Sequence, residues 1–102
     1  MSDITKLQNR AMEIRRRYNQ LERSRGKEPW DALQLAKGLK KDVSDLIAML
    51  EISELEPIKV SHELADCLWS VLVLARKLDV DIERAFWTTM LELDNRLDGE
   101  IK

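Results

Sequence analysis

Ile4, Leu7, Ala11, Ile14, Tyr18 and Leu21 recur every three or four residues, and the same spacing returns three more times along the chain. A period near 3.6 places each set on one face of a helix, so the chain is expected to be all-α. The first helix is expected over residues 4–24, with Arg15, Arg16 and Arg17 on its solvated face. A polar break, RGKEPW, follows, with Pro29 suited to the first turn of the next helix. The second helix is expected from Trp30 to Ser53, with Leu35, Leu39, Val43, Leu46 and Leu50 as its core stripe. ISELEPIK then makes a connection, with Pro57 either ending it or opening a third helix over roughly 59–78. Asp81 is placed to cap a fourth helix, which carries Glu83 in its first turn and packs through Ile82, Phe86, Met90, Leu93 and Leu97. Three Gly and two Pro leave little material for turns, which agrees with a few long helices. A length of 102 residues suits one domain. Strand signals and solenoid repeats are absent from the sequence pattern. The expected protomer is a four-helix-bundle-like fold with a central antiparallel helix hairpin, oligomerising through its helices.

The third segment raises a question of charge. In HELADCLWSVLVLA, Glu63 and Asp66 head an otherwise apolar run. On the helical wheel Glu63, Asp66, Ser70 and Lys77 share one narrow polar stripe, and residues 64–75 are otherwise apolar nearly all round. A helix apolar on most sides is expected to be surrounded by other helices, and a carboxylate there needs a partner. A second acidic pair, Asp42 and Asp45, lies beside the stripe of the preceding helix. An i, i+3 spacing puts the members of each pair on one face, about 5–6 Å apart at Cβ. In an antiparallel hairpin, residues whose numbers share a common sum are level. The pairs 42/66 and 45/63 both give 108, which centres the turn on residue 54, where the break falls independently.

Bringing four carboxylates to one level costs roughly 3 kcal/mol per like-charged pair about 5 Å apart at an effective dielectric near 20. A cation among them removes that cost. Hard oxygen donors without His or Cys suit Mg²⁺ or Mn²⁺, and Mg²⁺ commonly bridges carboxylates to phosphates. A di-iron bundle needs Glu-x-x-His twice, and the single histidine, His62, does not follow a Glu at that spacing. It is expected at the surface or behind the ligands. The single cysteine, Cys67, excludes an internal disulfide and a multi-Cys zinc site, and is expected as a small core residue.

These residues resemble the all-α nucleoside triphosphate pyrophosphohydrolases of the MazG-like family, whose signature is E-x-x-E, a spacer, then E-x-x-D. Here 17 residues separate Asp45 from Glu63. LQLAKGLKKDVSDLIAML is similar to the second helix of that family, and HELADCLWSVLVLARKLDVDIERAF to its third helix and the start of its fourth. The resemblance implies a helical bundle that forms homodimers or homotetramers. It also implies Mg²⁺-dependent hydrolysis of a nucleoside triphosphate between the α- and β-phosphates, giving a monophosphate and pyrophosphate. Asp42, Asp45, Glu63 and Asp66 are then the metal ligands and catalytic residues. The sequence departs from the family at three places: the first pair is Asp/Asp rather than Glu/Glu, Lys40 and Lys41 stand where many relatives have small residues, and TTMLELDNRLDG offers only Asn95 and Arg96 against a late Lys and Asn.

Weaker candidates for substrate contact are Trp30, for stacking on a base, and Lys37, Lys59, Asn95 and Arg96, for phosphate or sugar. Packing is the ordinary role for Trp30, as it is for Trp69 and Trp87, and solvation the ordinary role for the lysines. Residues 1–41 carry a net charge of +6 and residues 42–102 a net of −8, a polarity that suits a site or contact between the two halves. The overall charge of −2 speaks against a nucleic-acid-binding regulator. Ser2, Asp3 and Lys6 interrupt any apolar leader, and the run from Cys67 to Ala75 is too short for a bilayer, so a cytoplasmic, non-membrane protein is expected. The alternative to an enzyme is a catalytically degenerate helical dimer that binds a nucleotide or a protein.

Overall fold

The computed structural model describes residues 2–52 and 54–101. They form four helices, α1 (Asp3–Ser24), α2 (Ala32–Leu50), α3 (Pro57–Lys77) and α4 (Ile82–Glu100), with no strand among the described residues.

Short polar side chains set the ends. Ser2 caps α1 by accepting from the Thr5 amide at 3.1 Å. At its other end Gly26 sits at φ 71°, where a Cβ would be strained, and the Gly26 and Lys27 amides return to the Arg23 and Glu22 carbonyls. The second helix begins later than its apolar pattern predicts. Asp31 accepts from the Gln34 amide at 2.8 Å while the Gln34 side chain accepts from the Asp31 amide at 2.9 Å. This reciprocal box fixes Asp31 as the cap, so Pro29 and Trp30 precede the helix. Ser53, the expected end of this helix, lies outside the described residues; α2 itself closes at Leu50. Pro57 opens α3 from its first position, where a missing amide costs nothing. Asp79 ends α3 with φ 57°, and Asp81 caps α4 by accepting from the Arg84 amide at 3.1 Å.

The main packing is α2 on α3 and α1 on α3. Along α1 and α3 the partners run in opposite directions. Gln8 donates to the Leu72 carbonyl at 3.0 Å, and the Trp69 indole donates to the Ala11 carbonyl at 3.1 Å. Ala11, Leu35, Leu72 and Val73 form the buried core, with Ile4, Met12, Trp69, Leu74 and Ile82 packed around it.

Three expectations are corrected here. Arg15 does not face solvent: it is 6% exposed, and its guanidinium pairs with Glu22 at 2.6 Å and donates to Asn19 at 2.9 Å. Within one chain α3 is not enclosed, since Leu64 and Leu68 on its outer side are about half exposed. Nor is the expected stripe of α4 packed along its whole length against its own chain. It joins the core at Ile82, but Phe86 is 51% and Trp87 65% exposed, and contact with the other helices is slight. The radius of gyration is 16.7 Å and the extents are 58 × 39 × 26 Å. A compact chain of this length has a radius near 13 Å, so the protomer is drawn out. Among the described residues no helix is long and apolar enough to cross a membrane.

Candidate functional site

The facing surfaces of α2 and α3 bring part of the expected carboxylate set together. Asp42 is half-buried on α2, and the Ser70 hydroxyl of α3 donates to its Oδ2 at 2.7 Å. Glu63 and Asp66 are half-buried on α3, one turn apart. Cys67 lies among them. Its half-buried position, and then the negative fields of Asp42, Glu63 and Asp66, push its thiol above the usual cysteine range. Losing a proton there would add a fourth negative charge to the same space.

Asp45 is not part of this grouping. Its Oδ2 accepts from Lys41 Nζ of the same helix at 3.3 Å, a pair in which Lys41 is largely solvated. Asp66 in turn has His62 Nε2 3.2 Å from its Oδ2. Three of the four carboxylates have a nearby donor of this chain: Asp42 a hydroxyl, Asp45 an ammonium and Asp66 an imidazole. Spreading apart in this way relieves the like-charge repulsion of a four-carboxylate cluster. Among the described residues no group of three or more His, Cys, Asp or Glu side chains is gathered into a metal-holding arrangement. The donor chemistry suits a hard divalent cation, but the side chains are not turned to one point.

The other candidates are dispersed. Trp30 stands at the entry to α2, its ring against Gly38, where an added Cβ would lie 3.0 Å from the indole Cζ3. Lys59 is paired with Glu56 at 3.2 Å in the first turn of α3, and shares a shallow hollow with Asp45 and Met49. Lys37 is exposed on α2. Asn95 and Arg96 are exposed on α4, on the segment that stands away from the core.

Two local features were not assigned from sequence. Ser70 was placed on the polar stripe of α3 but given no role, although its spacing of four from Asp66 marks it as the next side chain on that face. The second is the setting of Arg15, whose guanidinium lies 5.7 Å from the Tyr18 ring centre and 5.5 Å from that of Trp30. The spacing of Ala11, Arg15, Asn19 and Glu22 was the available signal, because it puts Arg15 on the inward face with Ala11. Comparison of the chain with protein-family models, with curated proteins and with solved structures finds no match in any of the three. The resemblance drawn above therefore rests on the residues themselves.

Proposed function

We propose that this protein is a Mg²⁺-dependent nucleoside triphosphate pyrophosphohydrolase, with Mn²⁺ as the other fitting metal, acting on a cytoplasmic nucleotide pool as a homodimer or homotetramer. The observation that carries the reading is the 2.7 Å hydrogen bond from Ser70 of α3 to Asp42 of α2, which sets Asp42 against the α3 face that carries Asp66 one turn earlier. It is joined by the D-x-x-D and E-x-x-D spacing of the sequence. In this reading α2 and α3 form the central antiparallel hairpin. Asp42, Glu63 and Asp66 hold the metal, and Asp45 joins them on leaving Lys41. That move is cheap, since an exposed i, i+4 pair such as Lys41–Asp45 stabilises by only about 0.3–0.5 kcal/mol. The metal's contribution is to bind the phosphates and offset the charge that develops as water attacks. One of the carboxylates accepts the proton of that water.

A second reading has one observation in its favour. Asp45 is turned to Lys41 and the donors are not gathered, as in a helical dimer that binds a nucleotide or protein without turnover. Metal-dependent chemistry separates the two. Incubation with a panel of nucleoside triphosphates is expected to give monophosphate and pyrophosphate with Mg²⁺ and none with EDTA. Asp45→Asn and Glu63→Gln are each expected to abolish turnover and keep the fold, the second by removing repulsion and the first at the cost of only the exposed Lys41 pair, about 0.3–0.5 kcal/mol. Full Mg²⁺-dependent activity in both variants would overturn the assignment of the site. Diphosphate and orthophosphate as products would overturn the reaction, and metal binding without any product would favour the binding module.

A further inference from the structure

A serine inside a helix ordinarily turns its hydroxyl back to its own backbone. Ser61 does so, donating to the Pro57 carbonyl at 2.8 Å, and Ser24 donates to that of Leu21 at 2.6 Å. Ser70 does not. It lies well inside α3, 5% exposed, and its hydroxyl crosses to Oδ2 of Asp42 on α2. No other hydrogen bond reaches Asp42 among the described residues, so its second oxygen has no donor of this chain. Glu63, Asp66 and Ser70 follow one another along one face of α3. The next turn brings Val73, 1% exposed, which belongs to the buried core with Leu35 of α2. Ser70 thus closes the dry end of the carboxylate row. Solvent cannot stand in for its hydroxyl there, and an unpaired Oδ2 would be costly.

The partnered carboxylates differ in what an arriving cation must displace. Asp45 is held by the Lys41 ammonium, which carries the very charge a metal ion would bring and has to leave. Asp66 has the His62 imidazole beside it. The donor on Asp42 is a neutral hydroxyl, which can stay on Oδ2 while a cation takes the other oxygen. Of these three, Asp42 is the one set in advance by a group that need not move. A carboxylate with one oxygen committed offers a single oxygen. Mg²⁺ accepts single oxygens at octahedral positions and keeps several waters, whereas Ca²⁺ takes a larger oxygen shell and draws on bidentate carboxylates.

We propose that Ser70 is a positioning residue that fixes Asp42 as a one-oxygen ligand and so biases the site toward Mg²⁺ over Ca²⁺. The inference rests on the metal-dependent reading above and adds the group that sets its ion selectivity. It needs binding of the ion alone and does not depend on which substrate follows, or on turnover.

Calorimetric titration of the full chain with MgCl₂, and separately with CaCl₂, tests it without any nucleotide present. Removing a group that orients a ligand ordinarily weakens metal affinity by about tenfold or more. Ser70→Ala is therefore expected to lose about that much Mg²⁺ affinity and to keep its Ca²⁺ affinity, so that the ratio of the two falls about tenfold. A serine that merely tied α2 to α3 would weaken both ions alike. That result, or unchanged binding of both, would overturn the proposal. Circular dichroism of the same samples shows whether the variant is folded. If Ser70→Ala is not, Ser70→Cys decides, because it keeps a similar volume with a weaker donor and is expected to lower the ratio in the same direction. A product assay on the unaltered chain separates this inference from the hydrolase reading. A fallen ratio without pyrophosphate release leaves Ser70 in its role and overturns the hydrolase. Pyrophosphate release with an unchanged ratio does the reverse, and a chain that binds neither ion overturns both.

Discussion

Replacing Arg15 by alanine leaves the Glu22 carboxylate without its cation, in a place where Glu22 Oε2 already has no hydrogen-bond partner. An uncompensated buried charge costs about 3–5 kcal/mol. Glu22 retains some exposure, so a loss of about 2–3 kcal/mol is expected in urea unfolding, discounted from that range. Arg16→Ala, one residue on and exposed, is expected to stay within about 0.5 kcal/mol of the unaltered chain. Equal effects from the two variants would show that the buried pair contributes nothing special. The contrast also explains why the run of three arginines misled the sequence reading. At 100° per residue, three consecutive side chains sweep 200° of a helix, and a run that wide does not stay on one solvated face. Charge type pointed outward; position, with Ala11 four residues before, pointed inward.

At the scale of elements, all four helices were legible because each carries an apolar stripe at period 3.6, which is visible in sequence whether or not its own chain buries it. Their ends were less so, since single hydrogen bonds set them. Trp30 reads as a helical apolar residue until the Asp31–Gln34 box is seen to begin the helix after it. Asp31→Ala removes one half of that box, and a loss of about 1 kcal/mol is expected from the shift in unfolding midpoint. An unchanged midpoint would mean that α2 is held by its packing on α3 alone. The candidate site follows the same division. The i, i+3 acid pairs are a property of a single helix and could be read directly. The partner each carboxylate takes depends on rotamers and on the neighbouring helix, as when Ser70 meets Asp42. The Lys41–Asp45 and His62–Asp66 pairs, each four residues apart on one helix, were open to the same periodic argument.

At the scale of the whole molecule, the chain leaves more apolar surface open than a lone protomer needs. Phe86 and Trp87 meet edge to face with ring centres 5.4 Å apart, and with Ile4, Leu68 and Val71 they border an apolar groove of about 390 Å³. Interfaces of permanent oligomers resemble a domain core cut in half, and the homodimer or homotetramer proposed above would cover this surface. Light scattering after size exclusion is expected to give a multiple of 11.9 kDa, and Trp87→Glu to shift it toward the protomer. A protomer mass at all concentrations would overturn that part of the proposal. This level of structure was the least legible in sequence, because an apolar stripe records that a face is buried and not by which chain. The position of α4 then bears on how a site is inherited. Asn95 and Arg96 ride on a helix that stands away from its own chain's carboxylates. If each reaction centre combines acids from one copy with Arg96 from another, two inactive variants are complementary. Mixing Asp45→Asn with Arg96→Ala and allowing the subunits to exchange is expected to restore about a quarter of full activity, since half of the random dimers each contain one intact centre. No restoration would place every reacting group within a single copy.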